Sequence, residues 1–272
     1  MSDQQSAISN LQILKLGGSL ITEKNKPYTA RAKLIKALAA ELAAFRAANP
    51  SARLLLGHGS GSFGHTAAKQ HATRQGVHTP EQWQGFAEVA TQAAALNHIV
   101  MEALHLAGLP ALAFPPSASV VAADGEAAEW NLAPVRSALE AGLLPVVYGD
   151  VAFDRKLGGT ILSTEDLFVR LADEFRPMRI LLAGDQAGVF ADYPECTELI
   201  PEINPGNIVR IAASLTGSAA VDVTGGMAGK VQRMLGLIER IPQIEVLIFS
   251  GEDPADIRRA LQGDQPGTRL AA

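Results

Sequence analysis

Several short stretches of the chain hold residues suited to work on phosphate groups. The richest is Gly57-His58-Gly59-Ser60-Gly61-Ser62-Phe63-Gly64-His65, which follows the apolar run Arg53-Leu54-Leu55-Leu56 and leads into Thr66-Ala67-Ala68-Lys69. A strand, a glycine-rich turn and a helix start present several backbone N–H groups to one spot, and glycine lets the chain approach a ligand closely. A helix start adds partial positive charge, so the spot suits an anion. No Gly-Lys-Ser/Thr closes the stretch, and it lacks the G-x-G-x-x-G setting of a dinucleotide site. A second candidate is Lys15, inside Leu11-Gln12-Ile13-Leu14-Lys15-Leu16 and ahead of Gly17-Gly18-Ser19. An ammonium in an apolar strand must find a polar partner or lose much of its hydration energy. As a strand residue Lys15 shares a face with Ile13 and Gly17 and leans toward the glycine turn. On an edge strand it would instead snorkel to water.

Two more turns of this kind follow apolar runs: Gly149-Asp150 and Gly184-Asp185. The polar loop from Leu20 to Tyr28 adds Lys24, and a helix after Thr224-Gly225-Gly226-Met227 carries Lys230 and Arg233 in its first turns. In an open parallel sheet ligands bind beyond the carboxyl ends of the strands, so these turns should converge on one cleft. Lys15, Lys24, His65 and Lys230 around glycine turns make a polyphosphate site from few cations. Phosphoryl transfer is the matching reaction class, because it needs positioning and charge neutralisation more than covalent chemistry.

The elements that must position these residues alternate. Thr29 reads as the N-cap of an amphipathic helix reaching about Ala48, with Leu34, Leu38, Leu42 and Phe45 at helical spacing. Thr79-Pro80-Glu81 opens a helix that reaches Leu106 and ends at Gly108. Its Ala87, Ala90, Ala93, Ala94 and Ala95 give a smooth surface, for close helix packing or for a ligand tail. Short strands are expected at 110–114 and 118–122, a helix at 131–141, and a hairpin over 151–161. Ser163-Thr164-Glu165-Asp166 is a capped helix start whose acids capping alone would explain. Strands over 179–183, 220–223 and 244–249 complete the pattern. It implies an α/β fold: an open, mostly parallel sheet with helices on both faces. After a polar tail at 1–10, residues 11–272 form one domain of two lobes that meet near residue 175.

A net charge of −5 argues against a general nucleic-acid or membrane-surface binder. The lone Cys196 fits a reducing compartment, no run is long and apolar enough to span a bilayer, and the N-terminus lacks signal-peptide character, so the chain is read as cytoplasmic.

Lys15-Leu16-Gly17-Gly18-Ser19 resembles the opening motif of the amino acid kinase superfamily, and Asp185-Gln186-Ala187-Gly188-Val189 its nucleotide-side motif. Asp222-Val223-Thr224-Gly225-Gly226-Met227 with Lys230 completes the set. Within the superfamily, the loop ending Ser62-Phe63-Gly64-His65 is similar to that of the isopentenyl phosphate kinases, as are Lys24 and Pro116-Ser117-Ala118-Ser119. The resemblance extends from Leu11 to Gly267-Thr268. It implies an αβα sandwich and ATP-dependent conversion of isopentenyl phosphate to the diphosphate, with Mg²⁺ brought in on the nucleotide and a homodimer as the assembly. Carried over, His65 would hold the acceptor phosphate with the N–H groups of Gly59 and Gly64, beside Gly149. Lys15 and Lys230 would bind the transferring phosphoryl and the ATP phosphates, and Lys24 would neutralise charge between donor and acceptor. Asp150 would orient the lysines. Gly17, Gly18, Ser60, Thr164, Asp185, Gly188 and Gly226 would line the nucleotide side. Three positions depart from the family pattern: Ser60 and Thr164 stand where glycine is common, and Tyr148 where histidine is expected.

Other readings keep the fold and change the function. One is a kinase for another small organic phosphate or phosphonate, such as fosfomycin or an aminomethylfuran phosphate. The alanine-rich helix and the neutral Ser117-Ala118-Ser119 argue for an apolar tail instead. Another is a non-catalytic nucleotide sensor, which would be supported by loss of Lys15 or Lys230; both are present.

Overall fold

Apolar runs closed by glycine turns become the middle of one sheet. In the computed structural model, which describes residues 8, 10–71, 73–192, 195–208, 211 and 226–272, strand β1 (Leu11–Leu16) is buried along its length. It lies between β2 (Arg53–His58) and β9 (Arg179–Gly184), parallel to both. Lys15 is therefore on a central strand, and snorkelling from an edge is ruled out. The other strands are β3 (Ala111–Ala113), β6 (Leu144–Tyr148), β10 (Glu202–Ile203), β11 (Glu245–Ser250) and β12 (Gly267–Leu270), giving the order β10-β12-β11-β9-β1-β2-β6-β3. Within this sheet, among the described residues, only the β11–β12 pairing is antiparallel. The expected strand at 220–223, with Thr224 and Gly225, and residues 1–7 of the tail lie outside the described residues.

Residue parity divides the core. Ile13, Leu55, Val147, Ile180, Leu182, Val246 and Ile248 join one apolar cluster, while Leu14, Leu16, Leu54, Leu56, Val146, Leu181 and Leu247 join another. Successive strand residues point to opposite faces, so a sheet covered on both sides reads as an unbroken apolar run. After the single-turn α1 (Gly18–Ile21), the covering helices include α2 (Ala32–Ala48), α4 (Pro80–Leu106), α5 (Ala133–Glu140), α6 (Thr164–Phe175), α7 (Gly226–Arg240) and α8 (Ala255–Gln262). Leu38, Leu96 and Ile257 place α2, α4 and α8 on the Leu14 face, whereas Val135, Phe168 and Met234 place α5, α6 and α7 on the Ile13 face. A second sheet, ordered β5-β4-β7-β8, comprises β4 (Val120–Ala123), β5 (Glu126–Trp130), β7 (Asp150–Asp154) and β8 (Gly158–Leu162). The hairpin expected over 151–161 is its β7–β8 pair.

Several boundaries differ from expectation. Thr29 caps nothing: Ala30 bridges to Thr22, Arg31 grips Glu252 through two hydrogen bonds of 2.6 and 2.7 Å, and the helix starts at Ala32. Strand β5 was hidden because Glu126-Ala127-Ala128-Glu129 has weak strand propensity. The α4 start agrees, with Thr79 and Gln82 forming a capping box. Its alanines serve neither anticipated purpose as a set, since Ala87, Ala94 and Ala95 are exposed and only Ala93 is buried. No helix among the described residues is long and apolar enough to cross a membrane.

Candidate active site

The strand register brings the turns together. Lys15 pairs with Gly57 and Leu182, and Leu16 with His58 and Ala183, so β1, β2 and β9 end at one level. Beyond those ends lies a cavity of about 440 Å³. Its lining includes Lys15, Gly17, Gly18, Lys24, Gly59, Ser60, Gly64, His65 and Gly149 from the first part of the chain. Thr164, Asp185, Gly188, Gly226 and Lys230 come from the second. All the expected site residues except Asp150 therefore converge.

The glycine turns fit because they touch. A Cβ on Gly18 would stand 2.4 Å from the Gly61 nitrogen, and one on Gly59 would stand 2.6 Å from the Gly18 nitrogen. No side chain fits between two backbones at that separation. Helix α3 (Gly61–His71) starts inside the glycine stretch, five residues before the expected Thr66, and His65 lies within it. This changes which amides can serve an anion. Gly59 N–H donates to Leu16 O at 3.0 Å, and Gly64 N–H donates to Ser60 O at 3.1 Å. Those two, expected to bind the acceptor phosphate, are already spoken for. Gly149 N–H likewise donates to His58 O at 3.0 Å, so Gly149 contributes space to the cavity wall. Ser62 N–H donates to Thr22 Oγ1 at 3.0 Å, so the amides left over at the helix start, among the described residues, are those of Ser60 and Gly61.

Lys15 leaves β1 on the face covered by α6 and meets Glu165 at 2.5 Å. Sequence reasoning assigned Glu165 to capping, but the capping box is formed by Ser163 and Asp166. The missed signal was spacing: two consecutive acids at one helix start, of which the box uses one. Burial alone would raise the Glu165 carboxyl, yet the charges of Lys15 and Lys230 and the Lys15 hydrogen bond overrule it and hold it down at about 2. Stability from this depressed carboxyl is complete above its ordinary value of 4.5 and is lost as pH falls toward 2. Urea titrations of the parent and Glu165→Gln should therefore differ near neutrality and converge over that window. A gap that stayed constant down to the acid limit would separate Glu165 from the lysines.

Asp150 does not orient the lysines. Its carboxylate accepts from Ser117 N–H at 3.1 Å and Val151 N–H at 2.8 Å, and burial raises its pKa. It lies on the far side of Gly149, in the first position of β7, where the chain has left the cavity. Ser117 is taken up by that contact, and 117–119 is not part of the cavity lining. The lysine-holding carboxylates are Glu165 for Lys15 and Asp185 for Lys24, the latter at 3.4 Å. Burial opposes the charge on Asp185, but Lys24 and a 2.9 Å hydrogen bond from Ser19 Oγ keep its pKa below the ordinary value.

Residues 10–250 match the amino acid kinase family. The chain belongs to that family. Among its relatives in the amino acid kinase family, a protein of Methanothermobacter thermautotrophicus named isopentenyl phosphate kinase is 35 % identical over 95 % of this chain and 98 % of its own. One of the same name from Methanocaldococcus jannaschii is 32 % identical over 96 % and 98 %. A solved isopentenyl phosphate kinase superposes with a TM-score of 0.80 at 31 % identity, covering 95 % of this chain and 99 % of that one.

The three departures from the family pattern have local explanations. Thr164 Oγ1 donates to His58 O at 2.7 Å, tying α6 to the end of β2. Tyr148 stacks on the buried His58 ring with centroids 5.3 Å apart. Ser60 packs its Oγ against Gly64, where a Cβ would come within 2.2 Å. The closing Thr268 is fully buried; it donates to Ile200 O at 2.6 Å and accepts from Val189 N–H at 2.8 Å, fixing the loop beside Gly188.

Proposed function

We propose that this chain is an isopentenyl phosphate kinase, transferring the γ-phosphoryl of ATP to isopentenyl phosphate. The observation that carries the reading is the make-up of the cavity. Lys15, Lys24, His65 and Lys230 surround glycine turns, and the same cavity is lined by the apolar Ala68, Val89 and Ile161. A site for two head-to-head phosphate groups thus continues into a place for a small uncharged tail. The relatives' shared name supports the same assignment.

The chemistry asks little of the protein beyond position and charge. An ionised oxygen of the acceptor phosphate bonds to the γ-phosphorus as the bond from that phosphorus to the β–γ bridging oxygen breaks, and the bridging oxygen leaves with the electron pair on ADP. The attacking oxygen carries no proton at neutral pH, so no general base is needed. Lys15, held by Glu165, and Lys230 neutralise charge on the transferring group and the ATP phosphates. Lys24, held by Asp185, reaches in from the exposed loop, and His65 binds the acceptor phosphate with the amides at the start of α3. Residues from about 11 to 175 then form the acceptor lobe, which also lends Lys15 to the transferring group, and residues from about 176 to 272 the nucleotide lobe.

Magnesium would be held by phosphate oxygens of the nucleotide. The cavity carboxylates Glu165 and Asp185 are both engaged by lysines, and no three potential ligands stand together among the described residues. Its contribution when bound is to neutralise charge on those phosphates.

A coupled ADP-release assay across a panel of small phosphates tests the reading. Isopentenyl phosphate should exceed phosphates with charged or no tails by roughly tenfold or more in kcat/KM, since each buried CH₂ is worth about 0.8 kcal/mol. Equal rates across the panel would defeat the specific assignment. Lys69 and Arg74 also line the cavity, so a kinase for a phosphate or phosphonate with a polar tail is the second reading. A preference for such members would select it.

A further inference from the structure

Two arginines in the cavity wall have no part in the transfer chemistry above, and both turn to one carboxylate. Asp166 is 8 % exposed; it receives Arg233 Nε at 3.0 Å and, more loosely, Arg74 Nη2 at 3.8 Å. Capping explains only part of this. Asp166 Oδ2 accepts from Ser163 N–H and Ser163 Oγ–H, both at 2.7 Å, which completes the box at the start of α6 and leaves Oδ1 to Arg233. Neither arginine is needed for that box. Among the described residues Arg74 also buries its Nη1 without a partner, at a cost of roughly 1–3 kcal/mol that a purely stabilising contact would avoid.

What the three residues share is the placing of others. Arg233 lies three positions beyond Lys230 on α7, about one helical turn. Arg74 lies in the single 3-10 turn Thr73–Gln75 that follows α3, the helix of His65. Asp166 follows Glu165, the partner of Lys15. The first turn of α6 therefore holds strand-borne Lys15 with one carboxylate and, with the next, the segments that present Lys230 and His65.

We propose that Asp166 is a positioning residue that sets donor and acceptor sides of the cavity against each other. Through Arg233 it fixes where α7 presents Lys230 to the nucleotide, and through Arg74 it fixes where α3 presents His65 to the acceptor phosphate. The proposal rests on the phosphoryl-transfer reading of the cavity. Asp166 itself touches neither substrate.

Three variants test it: Asp166→Asn, which keeps an oxygen for Ser163, Arg233→Gln and Arg74→Gln. Each is measured by steady-state kinetics with ATP and isopentenyl phosphate, by ADP titration calorimetry and by Tm. Arg233→Gln should raise KM for ATP and Kd for ADP roughly tenfold while KM for the acceptor stays within about twofold. Losses of 10–100-fold are the scale seen when partners that orient the ligands of a bound ion are removed. Arg74→Gln should show the reverse split. Asp166→Asn should shift both constants, and adding Arg233→Gln to it should cost no more on the nucleotide side, because the two act as one unit. Unchanged constants in Asp166→Asn would overturn the proposal. So would additive losses in the double variant, or a fall in kcat with Tm that leaves both KM values alone. Should the parent fail to turn over isopentenyl phosphate, the proposed substrate falls, and the ADP affinities of Asp166→Asn, Arg233→Gln and their double variant still decide the nucleotide arm.

Discussion

Replacing Lys15 by methionine should lower kcat/KM by roughly 10³–10⁵, the scale for removing a cation that neutralises charge in a phosphoryl-transfer transition state. Methionine fills much of the space of the lysine stem in the middle of the sheet, so what is lost is mainly the ammonium. The complication is Glu165. Its carboxylate is 6 % exposed and would lose its 2.5 Å partner, and breaking a buried pair from one side costs about 3–5 kcal/mol. A fall in activity could then reflect unfolding. The double variant Lys15→Met/Glu165→Gln separates the two causes, because it removes the stranded charge along with the cation. Its urea midpoint should return toward the parent value while its turnover stays at the level of the single variant. Recovery of turnover in the double variant would show that Lys15 serves only as a counter-ion, and the transfer mechanism would need another cation.

The central sheet was legible because its signals are local and repeated. Apolar runs such as Leu11–Leu16 and Arg179–Gly184 end in glycine, and parallel pairing brings their ends to one level. Convergence of Lys15, Gly59, Gly149 and Asp185 follows from that topology. What stayed hidden depends on contacts between distant parts of the chain. The start of α2 at Ala32 is set by Arg31 reaching Glu252 across the fold, and no local propensity encodes that. Asp150 looked like a site residue since it follows a strand and a glycine, as Asp185 does. The backbone turns between Gly149 and Asp150, and Ser117 takes the carboxylate instead. Glu165 was passed over for the opposite reason, because a helix start already accounts for an acid there. Only the parity of Lys15, on the α6 side of the sheet, reveals which acid is needed.

The second large effect is expected at His65. His65→Ala should reduce kcat/KM for isopentenyl phosphate by roughly 10²–10³, the cost of losing one donor to the transition state. The site has few substitutes for it. The N–H groups of Gly59 and Gly64 are used by Leu16 and Ser60, which leaves the Ser60 and Gly61 amides beside His65 to hold the acceptor phosphate, with Thr66 and Lys69 the other polar side chains that α3 turns to the cavity after Ser62. The ionised acceptor needs no base, so the role of His65 is donation, and His65→Gln should keep part of the rate because its amide can still donate. Steady-state kinetics with both substrates varied would read this out. KM for ATP should change little if the imidazole sits on the acceptor side. Equal increases in both KM values would place it between donor and acceptor, and unchanged kinetics would remove it from the site. Together with Lys15→Met this tests the arrangement from both ends: one cation on the strand that carries the donor charge, one donor on the helix that carries the acceptor.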